Sequence, residues 1–129
     1  MVFGVFDRLH KGHLYFLDQA KKYGQVIAVV ARDDTVAELK KRAPLQSERQ
    51  RINALKGLVA KAVWGDKVQG SYAVLKRYRP DIICLGYDQG WLKNDLEEKM
   101  KNGLLPKIKL IQLTPHWPEE LHSSLLDLK

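Results

Sequence analysis

The chain has 129 residues, 45% of them hydrophobic and 29% charged, enough for one domain with a real core and too few for two. No apolar stretch is long enough to span a bilayer, and the first residues lack the basic region and apolar centre of a secretory leader. One cysteine excludes an internal disulfide and a reducing cytoplasm is the expected compartment, while a formal net charge of +7 raises polyanions as partners.

Taken in chain order, a first strand is predicted over residues 2–6, running into the turn that carries His10, Gly12 and His13. An amphipathic helix follows over 12–23, closed by Gly24. The unbroken apolar run over 26–31 predicts a second strand covered on both faces. A polar loop opens at Asp33-Asp34-Thr35 and leads into a short helix over 36–41. Ser47 and Gln50 have capping-box spacing, so a helix is expected from there to about residue 58. A short third strand covers 62–64. Ser71 is read as the cap of a helix through 79, stopped by Pro80. The fourth strand covers 81–85, holds Cys84 as a buried, inert thiol, and is broken by Gly86. Asn94 is read as the cap of a helix over 95–101, with Gly103 beyond its end. A fifth strand is expected over 107–113, then Pro115, Pro118 and a last helix over 119–128.

This alternation predicts an α/β fold: a single Rossmann-like domain over residues 1–129, with a five-stranded parallel sheet and helices on both faces. Such sheets bind ligands beyond the carboxyl ends of the strands, where strand order reverses. If the first and fourth strands are neighbours there, the histidine turn faces Gly86-Tyr87-Asp88-Gln89-Gly90.

His10 and His13 sit where a strand hands over to a helix. There the backbone N–H groups and the positive helix end attract phosphate, and imidazoles can donate hydrogen bonds to a phosphoryl group under attack. The competing readings are a helix cap plus a packed ring, or a metal pair. For metal, His116 and His122 are remote and no HExxH occurs. Gly12 lets phosphates approach the backbone. Asp7 is either a turn residue or a group orienting metal or substrate. Lys40, Lys41, Arg42, Arg49 and Arg51 form either a solvated helix face or a cradle for a nucleoside triphosphate. Position after the second strand singles out Lys40 and Arg49. Nucleic acid ranks lower, because no aromatic residues interleave with the basic ones. Gly86 to Gln89 is a polar loop or a base and ribose site, in which Asp88 or Gln89 would bond sugar hydroxyls or base edges. Ser123-Ser124 is a helix-cap pair or a second phosphate holder.

With these motifs set out, the chain resembles the cytidylyltransferase-like nucleotidyltransferases over nearly its whole length. The resemblance is carried by Gly4-Val5-Phe6-Asp7-Arg8-Leu9-His10-Lys11-Gly12-His13, the segment from Lys40 to Pro44, Glu48-Arg49, Gly86-Tyr87-Asp88-Gln89 and Ser123-Ser124. The Phe-Asp-x-Leu-His form looks like the branch of glycerol-3-phosphate cytidylyltransferase and archaeal FAD synthetase, and Leu-Gly-Tyr-Asp-Gln looks more like the FAD synthetase side. The resemblance implies in-line attack of an acceptor phosphate on the α-phosphorus of ATP or CTP, with pyrophosphate leaving and no covalent enzyme intermediate. His10, His13 and Lys40 would be catalytic. Val5, Phe6, Asp7, Gly12, Arg49, Gly86, Asp88, Gln89, Ser123 and Ser124 would bind nucleotide. Mg2+ would bridge phosphate oxygens, with help from Asp7 or Asp33. FMN or a polyol or sugar phosphate would be the acceptor, and a homodimer is compatible with the family. One departure stands out: the family often has an arginine before its C-terminal Ser/Thr motif, and Leu113-Thr114-Pro115-His116-Trp117-Pro118 has none. A nucleotide-binding module without turnover is the rival from another class.

Overall fold

A computed structural model describes residues 1–40, 42–67 and 71–113. Five strands, β1 (Val2–Gly4), β2 (Ile27–Val30), β3 (Lys61–Trp64), β4 (Ile82–Leu85) and β5 (Lys109–Gln112), alternate with helices α1 (Lys11–Lys21), α2 (Asp33–Lys40), α3 (Glu48–Leu55), α4 (Ala73–Tyr78) and α5 (Gly90–Lys101). The sheet is wholly parallel in the order β3-β2-β1-β4-β5. The chain therefore winds outward one way from β1 and returns to its other side at β4, which makes the β1–β4 boundary the switch point of the sheet.

Both faces of the sheet are covered, as the continuous apolar strands require. Ala28, Val30 and Cys84 point into one core with Leu17, Ala20 and Leu55 from α1 and α3. Val29, Ile83 and Leu85 point into the other with Val74, Leu75, Leu92 and Leu96 from α4 and α5. Successive strand residues thus alternate between two cores rather than between core and water. The thiol of Cys84 is buried, and that burial pushes its pKa up against the opposing pull of the N-terminal ammonium. Among the described residues no helix is long and apolar enough to cross a membrane.

The starts of α3, α4 and α5 follow local chemistry in the first case and tertiary packing in the other two. Ser47 caps α3 with the expected capping box: its hydroxyl accepts from Gln50 N–H at 3.2 Å and its own N–H donates to Gln50 Oε1 at 2.9 Å. Ser71 is not the cap of α4. Tyr72 is, in a left-handed conformation (φ 52°) with no side-chain cap bond. Its hydroxyl instead donates to Asp95 of α5, whose other oxygen receives Lys99 Nζ at 3.0 Å. Nor does Asn94 start α5, which begins at Gly90 so that Leu92 and Leu96, one turn apart, both reach the core. The helix expected over 119–128 lies outside the described residues.

Candidate active site

β1 ends early, and the chain from Val5 to His10 forms a tight, strained turn. Phe6 and Arg8 both adopt left-handed backbone conformations (φ 54° and 53°) that non-glycine residues rarely take. Such conformations persist where their surroundings over-determine them. Phe6 is buried, and its ring lies so close beneath Gly4 that a Cβ there would approach it to 2.9 Å. Asp7 accepts hydrogen bonds from the N–H groups of Leu45 and Gln46 at 2.8 and 2.9 Å, while Arg8 N–H donates to Gln46 Oε1 at 2.9 Å. The turn is therefore clasped to the segment between α2 and α3. Partial burial pushes the Asp7 pKa up, but the two amide donors and the charges of Arg51 and Arg42 outweigh it and hold the carboxyl below its ordinary value.

Arg51 anchors this turn from below. It is completely buried on α3, one turn before Leu55. Its Nη1 donates to the carbonyls of Val5 (2.8 Å) and Ala31 (2.7 Å), its Nε to Gln46 (3.2 Å), and its Nη2 to Asp33 Oδ1 (2.6 Å). One guanidinium thus ties together the carboxyl ends of β1 and β2, the start of α2 and the 42–47 segment. Its rigid planar fork suits it to several donations in fixed directions. Neither alternative for the basic group, a solvated helix face or a triphosphate cradle, describes Arg51, whose guanidinium is spent within the fold. The available signal was its spacing of four from Leu55, which puts both on one helix face.

At the head of α1 the two histidines form a capping box with each other. His10 is the N-cap, and its Nδ1 accepts from Gly12 N–H at 3.0 Å, while His13 Nδ1 accepts from His10 N–H at 3.2 Å. Their rings stack with centroids 4.0 Å apart, and Phe6 backs His13 at 5.8 Å. The i, i+3 spacing read as phosphate chemistry is also the spacing of a capping box. The two readings are compatible. A neutral imidazole that accepts at Nδ1 carries its proton on Nε2. In that tautomer each ring couples a backbone N–H at the helix start to an Nε2–H. The Gly12 amide itself is engaged by His10, so this backbone N–H is already spent within the capping box.

The opposite wall is the turn after β4. Asp88 and Tyr87 are exposed, and a Cβ on Gly86 would lie 3.0 Å from Asp88 Oδ1. It would also lie 3.8 Å from the ring of Phe16, which sets the Gly86 turn beside α1. Gln89 does not face the crevice with a free amide. Its Oε1 accepts from Gly86 N–H and its Nε2 donates to the Phe3 carbonyl, each at 2.9 Å.

The remaining expected site residues divide. Val5 contributes a carbonyl already taken by Arg51, and Phe6 is core. Arg49 is exposed on α3, turned away from the direction of Arg51. Lys40 ends α2, its side chain outside the described part, as are Lys41, His116, His122, Ser123 and Ser124. For a divalent cation, Asp7 and Asp33 are poor direct ligands. Both Asp7 oxygens hold backbone amides and Asp33 Oδ1 holds Arg51, and no group of three or more His, Cys, Asp or Glu gathers among the described residues.

The arrangement has counterparts. A cytidylyltransferase-like family model matches residues 1–125. The chain belongs to this family of nucleotidyltransferases. The FAD synthase of Methanosarcina barkeri (strain Fusaro / DSM 804) is 44% identical over 120 residues, covering 89% of this chain and 84% of that protein. The FAD synthase of Aciduliprofundum boonei (strain DSM 19572 / T469) is 39% identical over 128 residues, covering 96% of this chain and 83% of that one. Among solved structures, a lipopolysaccharide core biosynthesis protein from Thermoplasma volcanium GSS1 superposes with a TM-score of 0.79 at 31% identity, covering 91% of this chain and 96% of that chain. As a member of the cytidylyltransferase-like family, the chain is an enzyme that moves a nucleotidyl group. The Rossmann-like parallel sheet expected from the sequence is the fold it adopts.

Proposed function

We propose that this nucleotidyltransferase is an FMN adenylyltransferase. The observation that carries the reading is the imidazole pair at the head of α1, set against the Gly86 turn at the switch point, in a chain similar to several FAD synthases. In the proposed reaction an oxygen of the FMN phosphate attacks the α-phosphorus of ATP. One P–O bond forms, the bond to the β-phosphate oxygen breaks, and pyrophosphate departs with its electron pair. The Nε2–H groups of His10 and His13 donate to the α-phosphoryl and bridging oxygens as negative charge builds there. Their orientation is set beforehand by the capping box, so little reorganisation accompanies the charge. The Gly86–Asp88 turn holds the nucleoside, and Lys40, Arg49, Ser123 and Ser124 complete the phosphate contacts. Mg2+ accompanies the nucleotide with phosphate oxygens for ligands, as suits an ion that keeps few protein ligands. The cytoplasm is the compartment of this reading.

Incubating the protein with FMN, ATP and Mg2+ should yield FAD and pyrophosphate in equal amounts. Turnover of CTP with glycerol 3-phosphate in its place would assign the cytidylyl reaction instead. Nucleotide binding without pyrophosphate release from either mixture would reject both. Thermal shift gives an independent readout: ATP at ~100 times its Kd should add ~2.7 kcal/mol of stability, with CTP at the same concentration adding less.

A further inference from the structure

β1 and β4 pair at one position only, Val2 with Cys84. Cys84 N–H donates to the Met1 carbonyl at 3.0 Å. In a parallel ladder the bond two residues further along would join Gly86 N–H to the Phe3 carbonyl. Those are the two groups that Gln89 keeps apart. Its side-chain amide enters the ladder as an extra peptide-like unit, accepting from Gly86 on one side and donating to Phe3 on the other, at 2.9 Å each. The strands are held one amide further apart just where they leave the sheet and become the two walls of the crevice. Gln89 N–H also bonds the Gly86 carbonyl at 3.0 Å, and Gln112 of β5 approaches the carbonyls of Gly86 and Tyr87 at 3.4 Å. The Gly86 peptide is thus fixed from several directions. Glycine at this point suits the crowding, since a Cβ would lie 3.0 Å from Asp88 and 3.6 Å from Gln89 Oε1.

We infer that Gln89 is a positioning residue that sets the width of the nucleotide crevice. It acts as a spacer between β1 and β4 and does not read the base. The kinetic part of this inference rests on the proposed adenylyl transfer; the spacing part does not. A nucleotide held by His10 and His13 on one wall and by the Gly86 turn on the other needs a set distance between walls. Asparagine is one methylene too short to bridge both groups. Glutamate keeps the reach and the acceptor for Gly86 but presents oxygen, not N–H, to the Phe3 carbonyl.

The experiment compares wild type with Gln89→Asn, Gln89→Glu and Gln89→Ala by three measurements. In crystal structures of the nucleotide-free protein, Gln89→Asn and Gln89→Ala should bring Gly86 N–H and the Phe3 carbonyl together into the direct ladder bond, while the β1–β2 pairing stays as in wild type. Under turnover, kcat should fall by up to ~10²-fold, the scale of a 1 Å misalignment, with Tm changed little. The ratio of ATP to CTP binding should stay as in wild type in all three variants. A Gly86 N to Phe3 O separation unchanged in Gln89→Ala would overturn the spacer whatever reaction the enzyme performs. A changed ATP to CTP ratio would assign Gln89 to base recognition and overturn it equally. If neither FMN nor glycerol 3-phosphate is turned over by wild type, the adenylyl reading fails while the strand separation still decides the spacer.

Discussion

Replacing His10 with alanine should lower kcat by ~10²–10³, the usual worth of one preorganised donor to a developing oxyanion, and His13→Ala should do the same. The two losses should not add, because the two rings stack on each other with centroids 4.0 Å apart and cap the same helix start. Stability separates capping from chemistry. Losing the His10 cap should cost about 1 kcal/mol. His10→Asn can still accept the helix N–H groups through its side-chain oxygen, so it should recover Tm while leaving kcat low. Recovery of kcat along with Tm would mean that His10 serves only as a cap.

Arg51→Ala should be the most destabilising single change, about 3–5 kcal/mol, the cost of removing one partner from a buried charged network. That corresponds to a fall in Tm of more than about 10 °C. The cost arises because the half-buried carbonyls of Val5, Ala31 and Gln46 lose the donor that a fully buried guanidinium supplied. Asp33→Asn should cost far less, since the Asp33 side chain is 39% exposed and Arg51 retains three carbonyl partners. Arg51→Lys should not rescue, because one ammonium cannot serve carbonyls on three segments as the fork does. Circular-dichroism melts of the three variants check this ordering. An Arg51→Ala melt within a few degrees of wild type would show that the network is dispensable.

Strand positions were legible because a parallel sheet buried on both faces writes each strand as an apolar block: 26–31 and 81–85 contain β2 and β4 whole. The pairing of β1 with β4 stood in the sequence only as a condition, since no local residue pattern encodes which strands lie side by side. The misplaced helix starts share one cause. Ser71 and Asn94 are good caps locally, but Tyr72 is recruited by Asp95, and α5 begins at Gly90 to seat Leu92. At the candidate site, the histidine turn and the Gly86 turn were legible as turns, because each follows an apolar strand block and carries glycine and polar residues. Arg51 and Gln89 were not. A buried arginine and a side-chain amide inside a sheet ladder are defined by partners 18 to 86 residues away, and no local pattern encodes those distances. Asp7 illustrates the middle case: the turn role was foreseen, the clasp across to Leu45 and Gln46 was not.

The most direct measurement is a crystal structure of the enzyme with FMN and a non-hydrolysable ATP analogue. The account predicts α-phosphoryl oxygens within about 2.7–3.2 Å of Nε2 on both His10 and His13, with each Nδ1 still held by its backbone N–H. An α-phosphate bound away from both rings, or rings turned so that Nδ1 meets the phosphate and the capping box is broken, would contradict it.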